Sequence, residues 1–289
     1  MNFTKSIEKE SFLKWDISSI IIILLFMTSV YPGDWSVSGN AGYMTGNYIY
    51  TTTTSIYSFT GEIAYETNRW NADLNLPVIM QNSGLVSSSG GMHIPSNQGQ
   101  NESGMSGGRH GGMMGGSQIN TDGMDTQYET GFGDIYLSGQ YYFLRDKKIQ
   151  PALALTANIK VPTASTNKNL GTGKWDYGLT LNISKSIGKY VGFLDSGFRI
   201  LGDPAEINYS NPIIYGVGVG RFFNGGKFSA LLYYQGYSEI LQNYDPPRQG
   251  SAGLYYKTNP RSILSIVFSK GFSKTSPDFG TSIGFNIQL

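Results

Sequence analysis

From about Thr130 to Leu289 the chain alternates apolar and polar residues with few breaks. In the last segment Phe279, Thr281, Ile283, Phe285, Ile287 and Leu289 share one face, and Gly280, Ser282, Gly284, Asn286 and Gln288 share the other. Side chains of a strand point alternately to its two sides, so this is a strand with one apolar and one polar face. The polar face is small and the apolar face aromatic, which suits a wall between lipid and a wet lumen rather than a soluble sandwich.

The same rhythm predicts strands at Trp35–Thr45, Tyr48–Glu66, Arg69–Met80, Gly131–Leu144, Gln150–Val161, Lys174–Ile187, Tyr190–Leu201, Asn211–Phe223, Lys227–Glu239, Gly250–Thr258, Ser262–Phe272 and Asp278–Leu289. Their number, about twelve, is even, as single-chain bacterial barrels require. Connections after the even-numbered strands are tight, for example Thr67-Asn68, Gly188-Lys189 and Asn259-Pro260. Those after the odd-numbered strands are mostly longer, the longest being Gln81–Thr130. Short turns belong to the periplasm and long loops to the outside, so both chain ends of such a barrel face the periplasm. The expected fold is therefore an all-β, antiparallel, up-and-down transmembrane β-barrel in the bacterial outer membrane.

Register fixes the faces. Leu74, Leu76 and Val78, then Leu155 and Ile159, then Leu179, Leu181 and Ile183 look outward to lipid. Asn71, Asp73, Asn75, Thr156, Asn158, Lys160, Asp176, Thr180 and Asn182 look inward. The opposite register would push basic side chains into lipid at a cost of ~2–4 kcal/mol each at mid-membrane. The expected lumen-lining charges are Glu62, Asp73, Asp134, Asp176 and Asp195 against Lys160, Arg199 and Lys257. Mixed signs of this kind either line a weakly selective pore or bridge one another. Gly216, Gly218 and Gly220 alternate along one strand, which makes room inside the barrel.

Before the strands, Ile17–Val30 is the one continuous apolar run, and it follows Lys5, Lys9 and Lys14. A run of roughly 7–15 residues fits the core of an export signal, whereas a spanning helix needs ~20. Residues 1–33 are read as a signal peptide or N-terminal hydrophobic segment, and 34–289 as one barrel domain. An uncleaved anchor is the alternative, because Glu8, Glu10 and Asp16 also occupy the leader.

Composition agrees. Charged residues make up 14% of the chain and aromatic residues 13%, a recipe for a lipid-embedded sheet rather than a soluble helical enzyme. The absence of Cys removes disulfides, thiolate metal sites and thiol nucleophiles. Lys and Arg form no stripe that could follow a phosphate backbone, so nucleic acid is not an expected partner. Membrane lipid and a small-molecule solute are.

The long third connection, 81–130, is Gly-rich and holds both histidines. Met92, His93, Met105, His110, Met113, Met114 and Met124 offer thioether and imidazole donors suited to soft copper(I) or silver(I). A barrel-anchored surface protein that binds soft metal is thus the alternative to a channel. The plainer reading is a surface loop or partial plug with incidental methionines. An enzyme is not expected: no His falls on a predicted strand, the G-x-S-x-G elbow is absent, and no cofactor motif is present.

Three stretches carry a resemblance. They are GEIAYETNRWNADLNLPV at Gly61–Val78, GFGDIYLSGQYYFL at Gly131–Leu144, and ALALTANIKVPTAS followed by LGTGKWDYGLTLNISKSIG at Ala152–Gly188. The G-x-G-D strand opening, the K-x-P-T strand end and the L-G-T-G-x-x-D-Y-G entry resemble a bacterial family catalogued under the MetA pathway of phenol degradation. The resemblance implies an outer-membrane channel or transporter, with small apolar or aromatic compounds as its solutes. The chain departs from the family pattern in its expanded third connection, and its terminal residue is Leu289, where barrel proteins usually end in an aromatic.

Overall fold

The structure is a computed structural model and describes residues 33–89, 92–95, 118–121, 127–204 and 208–289. The leader lies outside the described residues.

The barrel wall comprises β1 (Asp34–Gly46), β2 (Thr54–Glu66), β3 (Trp70–Gln81), β6 (Glu129–Phe132), β7 (Ile135–Leu144), β8 (Ala152–Val161), β9 (Asp176–Ile187), β10 (Tyr190–Ile200), β11 (Ile213–Phe223), β12 (Phe228–Tyr237), β13 (Arg248–Asn259), β14 (Ser262–Gly271) and β15 (Phe279–Gln288). Consecutive strands pair antiparallel, and β1 pairs with both β2 and β15, which closes the sheet. The β6 and β7 segments are two halves of one stave, both paired to β3, so the closed barrel has twelve staves. Closure leaves no free edge, as a sheet in lipid requires.

The stave breaks at a bulge. Val78 faces Phe132 and Asn75 faces Tyr136, so Gly133, Asp134 and Ile135 stand opposite only Leu76 and Pro77. Pro77 has no N–H to give the ladder, but its carbonyl accepts from the Gly133 N–H at 2.9 Å. The extra residue turns Asp134 inward, where Lys160 meets it at 3.6 Å.

At one end the connections are tight, including the Gly188 turn at φ 60° and the single 3-10 turn Asn224–Gly226. The other end carries the longer segments, with the start of β1 and the end of β15 at the tight-turn side. Aromatic residues ring the outer face at both levels. Trp35, Tyr65 and Trp70 pack with centroids 4.9 and 5.3 Å apart near the short turns, and Tyr43 meets Tyr57 at 4.9 Å near the long loops. These are the girdles of a transmembrane barrel. Between them Leu194, Val217, Leu232 and Ile283 are exposed, as suits side chains whose solvent is lipid.

The predicted second strand is corrected at its start. Tyr48–Thr53 does not extend the stave; Tyr48 takes φ 51°, and Tyr48, Ile49 and Tyr50 fold into the barrel mouth, where they are buried. Their company is a hairpin absent from the predicted strands, β4 (Val86–Ser89) and β5 (Met92–Pro95). Leu85 and Val86, both 0% exposed, pack with Tyr48, Ile49, Tyr50, Ile56, Ile79, Ala164 and Leu170. Ile94 packs with Leu201, Tyr209, Tyr237 and Ile240. Since Ile56, Ile79 and Tyr237 point inward, the hairpin is a plug seated in the long-loop end of the lumen.

Candidate functional site

The inner wall at mid-height is one hydrogen-bonded belt. Asn71 Nδ2 donates to Gln140 Oε1 at 3.3 Å, and Gln140 Nε2 donates to Thr156 Oγ1 at 2.9 Å. Thr156 Oγ1 donates to Asn182 Oδ1 at 2.5 Å, and Asn182 Nδ2 to Asp195 Oδ1 at 2.7 Å. The Tyr233 hydroxyl completes the run on Asp195 Oδ2 at 2.7 Å. Six strands contribute, each through a residue on its polar face, and charge-assisted bonds to Asp195 anchor one end. Elsewhere on that face Ser38 Oγ donates to Glu62 Oε1 at 2.8 Å, and Asn75 Nδ2 to Asp73 Oδ2 at 2.8 Å. A wall of this kind presents water-compatible groups to anything inside it.

Nearer the plug the charges are paired. Lys160 Nζ lies 2.8 Å from Asp176 Oδ2 and 3.6 Å from Asp134 Oδ2, with all three side chains at most 5% exposed. Lys160 Nζ also donates to Thr172 Oγ1 at 3.1 Å. Each carboxylate holds a loop: Asp134 Oδ1 accepts the Ala164 N–H and Asp176 Oδ1 accepts the Gly202 N–H, both at 3.0 Å. Those loops carry Ala164, Leu170 and Leu201, which pack on the plug. The hairpin is tied to the wall directly as well, by Tyr136 Oη donating to Ser88 Oγ at 2.8 Å and Tyr209 Oη donating to the Pro95 carbonyl at 3.0 Å.

The eight charged residues singled out in the sequence separate into three groups. Asp134, Lys160 and Asp176 meet as one buried cluster. Glu62, Asp73 and Asp195 take neutral hydrogen-bond donors, without a cation within 4.0 Å among the described residues. Arg199 and Lys257 stand apart, opposite Gly178 and Ile263 respectively. Sequence reasoning missed Tyr233, Gln140 and Tyr136; their inward register was legible, but not the partners they reach.

Of the soft-metal set, Met105, His110, Met113, Met114 and Met124 lie outside the described residues. Met92 and His93 belong to β5, so the connection folds partly inward and His93 does sit on a short strand. The His93 Nδ1 is enclosed and unpartnered, and burial lowers its pKa to about 4. Among the described residues no three of His, Cys, Asp and Glu gather as a metal cluster.

Three apolar recesses of about 930, 710 and 410 Å³ all open on the outer face. The largest forms where Ala72, Gly139 and Ala157 stand side by side among Trp70, Tyr141 and Leu155. They face lipid and are not the solute path.

Residues 108–289 match the model of the family described as "Putative MetA-pathway of phenol degradation". The chain belongs to this family. No curated protein sequence matches it. Among solved structures, the COG4313 outer membrane channel from Pseudomonas putida F1 is similar at a TM-score of 0.58 and 11% identity, over 89% of this chain and 96% of that one. A channel named CymD, a monoaromatic hydrocarbon channel, aligns at a TM-score of 0.46 and 10% identity over 96% and 94% of the two chains. At these identities the first likeness shows the fold alone, a closed β-barrel.

Proposed function

We propose that this family member is an outer-membrane channel that passes small molecules by diffusion through the barrel lumen, with its long-loop end throttled by the β4–β5 plug. The observation that carries the reading is the inner belt from Asn71 to Tyr233: a continuous polar lining of hydrogen-bonding groups, set inside a wall whose outer face is apolar. A barrel serving only as an anchor has no need of a polar lining across six strands, whereas a wet conduit does. The eight charged residues line or brace that path: Glu62, Asp73, Asp195 and Lys257 as wall charges, Asp134, Lys160 and Asp176 as the brace for the plug-bearing loops, and Arg199 beside the plug.

The family description names phenol degradation, and this supports small aromatic compounds as the solute class. The similar Pseudomonas putida structure is described as an outer membrane channel, which supports the channel part of the reading. His93 is the one histidine among the described residues, and it belongs to the plug hairpin. Liposome swelling with a panel of aromatic, sugar and anionic solutes tests the reading. Aromatic solutes are expected to enter faster than sugars of equal size; liposomes impermeable to every solute would refute a channel.

A further inference from the structure

Four buried side-chain polar atoms of the described residues lack a hydrogen-bond partner, and three of them, Ser87 Oγ, His93 Nδ1 and Arg199 Nε, belong to the plug hairpin and the wall beside it. Native interiors satisfy nearly all such atoms, so three in one region call for a physical reason. Arg199 is the centre of the group. It stands opposite Gly178 of β9, and a Cβ on Gly178 would lie 3.0 Å from Arg199 Nη1 and 3.5 Å from Cζ. The guanidinium therefore lies over the bare backbone of β9. Tyr237 of β12 hydrogen-bonds it, and Tyr136 of β7 lies within its electrostatic reach while donating to Ser88 of the plug. His93 is the register partner of Ser88.

The charge is unusual for its surroundings. Lys160, the other cation at this level, has two carboxylates within 4.0 Å; Arg199 has none among the described residues. A partly enclosed guanidinium without a counter-ion is costly unless something of opposite sign meets it.

We propose that the junction of plug and wall at Arg199 binds the carboxylate of a small aromatic acid. The guanidinium fork matches two carboxylate oxygens, and Arg accepts an aromatic ring against its planar face. Tyr136 and Tyr237 supply aromatic walls for the ring, and Ser87 and His93 supply polar partners at its margin. His93 stays neutral at ordinary pH, because burial lowers its pKa to about 4, and so adds no competing cation. The site goes beyond the channel reading, since capture at the mouth does not depend on passage.

Benzoate is the probe, with benzyl alcohol as its uncharged counterpart, titrated calorimetrically into the full chain in detergent. Benzoate is expected to bind one per barrel, at least about tenfold more tightly than benzyl alcohol, each tenfold being about 1.4 kcal/mol. Arg199→Gln is expected to remove that preference, and Arg199→Lys to keep the charge but weaken binding, because the fork is lost. Heat-dependent gel mobility reports whether each variant is a folded barrel; if Arg199→Gln is not, the benzoate preference of the unmodified chain and Ser87→Ala, expected to weaken benzoate several-fold, carry the test. Equal affinity for the two probes, no benzoate binding, or a folded Arg199→Gln that binds benzoate unchanged would overturn the proposal. A barrel that binds benzoate but passes no solute would keep this site and sink the channel reading.

Discussion

Tyr233 reaches Asp195 across an entire strand. The phenol of β12 donates to the carboxylate of β10 at 2.7 Å, and β11 lies between them. The passage exists because Gly216, the register partner of Asp195, has no side chain; a Cβ there would collide with the Tyr233 ring. Glycine at Gly216 and Gly218 thus does more than open space in the lumen: it lets one hydrogen bond tie three staves together at the belt.

Gly216→Val is expected to unseat Tyr233 and leave Asp195 short of a donor, costing about 1–3 kcal/mol. Tyr233→Phe removes the same bond without steric conflict and is expected to cost less. Denaturant unfolding of the two variants in detergent checks the order; a Gly216→Val barrel as stable as the parent would show that the bond contributes nothing.

Removing Lys160 tests the brace. Lys160→Met leaves Asp134 and Asp176 facing each other without their cation, which is expected to destabilise the barrel by about 3–5 kcal/mol. Because the carboxylates hold the loops at Ala164 and Gly202, those loops are expected to become protease-sensitive before the wall unfolds. Protease resistance equal to the parent's would mean the loops are held by packing alone.

At the opposite end, acid acts on a single contact. Lys185 Nζ donates to Asp146 Oδ1 at 2.6 Å and the Ser186 N–H donates to Oδ2 at 2.9 Å; these bonds, the lysine's first, lower the Asp146 pKa to about 2. A depressed carboxylate stabilises the folded state above its unfolded pKa of ~3.9 and stops doing so as pH falls through the folded value. The contribution is therefore whole above about pH 4 and lost by about pH 2, and it is small because the site is exposed and salt-screened. Following the Asp146 carboxyl by NMR titration checks it; a midpoint near 4 would rule the contact out.

The carboxylates of the inner wall that lack a cation are expected to set ion preference. With Lys160 already matched by two aspartates, Glu62, Asp73 and Asp195 dominate the free charge of the mid-wall. Reversal potentials in a salt gradient are expected to favour cations, and the triple change Glu62→Gln, Asp73→Asn, Asp195→Asn to lower the cation-to-anion ratio at least about twofold. Anion preference in the parent would contradict this assignment of the lumen.

Most of the wall was legible in the sequence, because a period of two with lipid outside admits one register. Phe279–Leu289 and Trp175–Ile183 fall on the predicted faces. The plug was not legible. Leu85, Val86 and Ile94 are too few and too widely separated by Gly and Ser to show a period, and their partner surface is the inside of the barrel itself. Tyr48–Thr53 was misread for a related reason: its residues have strand character, but the buried mouth offers Tyr48 and Tyr50 more contact than an extended stave would. Nor could spacing alone show that Asp134, a bulge residue, would turn to Lys160.

Planar-bilayer recording of the full chain tests the central claim most directly. Discrete current steps favouring cations are expected from the parent, and larger or more frequent steps when Leu85→Asp and Val86→Asp place charge in the apolar seat of the plug. A barrel that folds, inserts and stays electrically silent in both forms would contradict a conducting lumen closed by this hairpin.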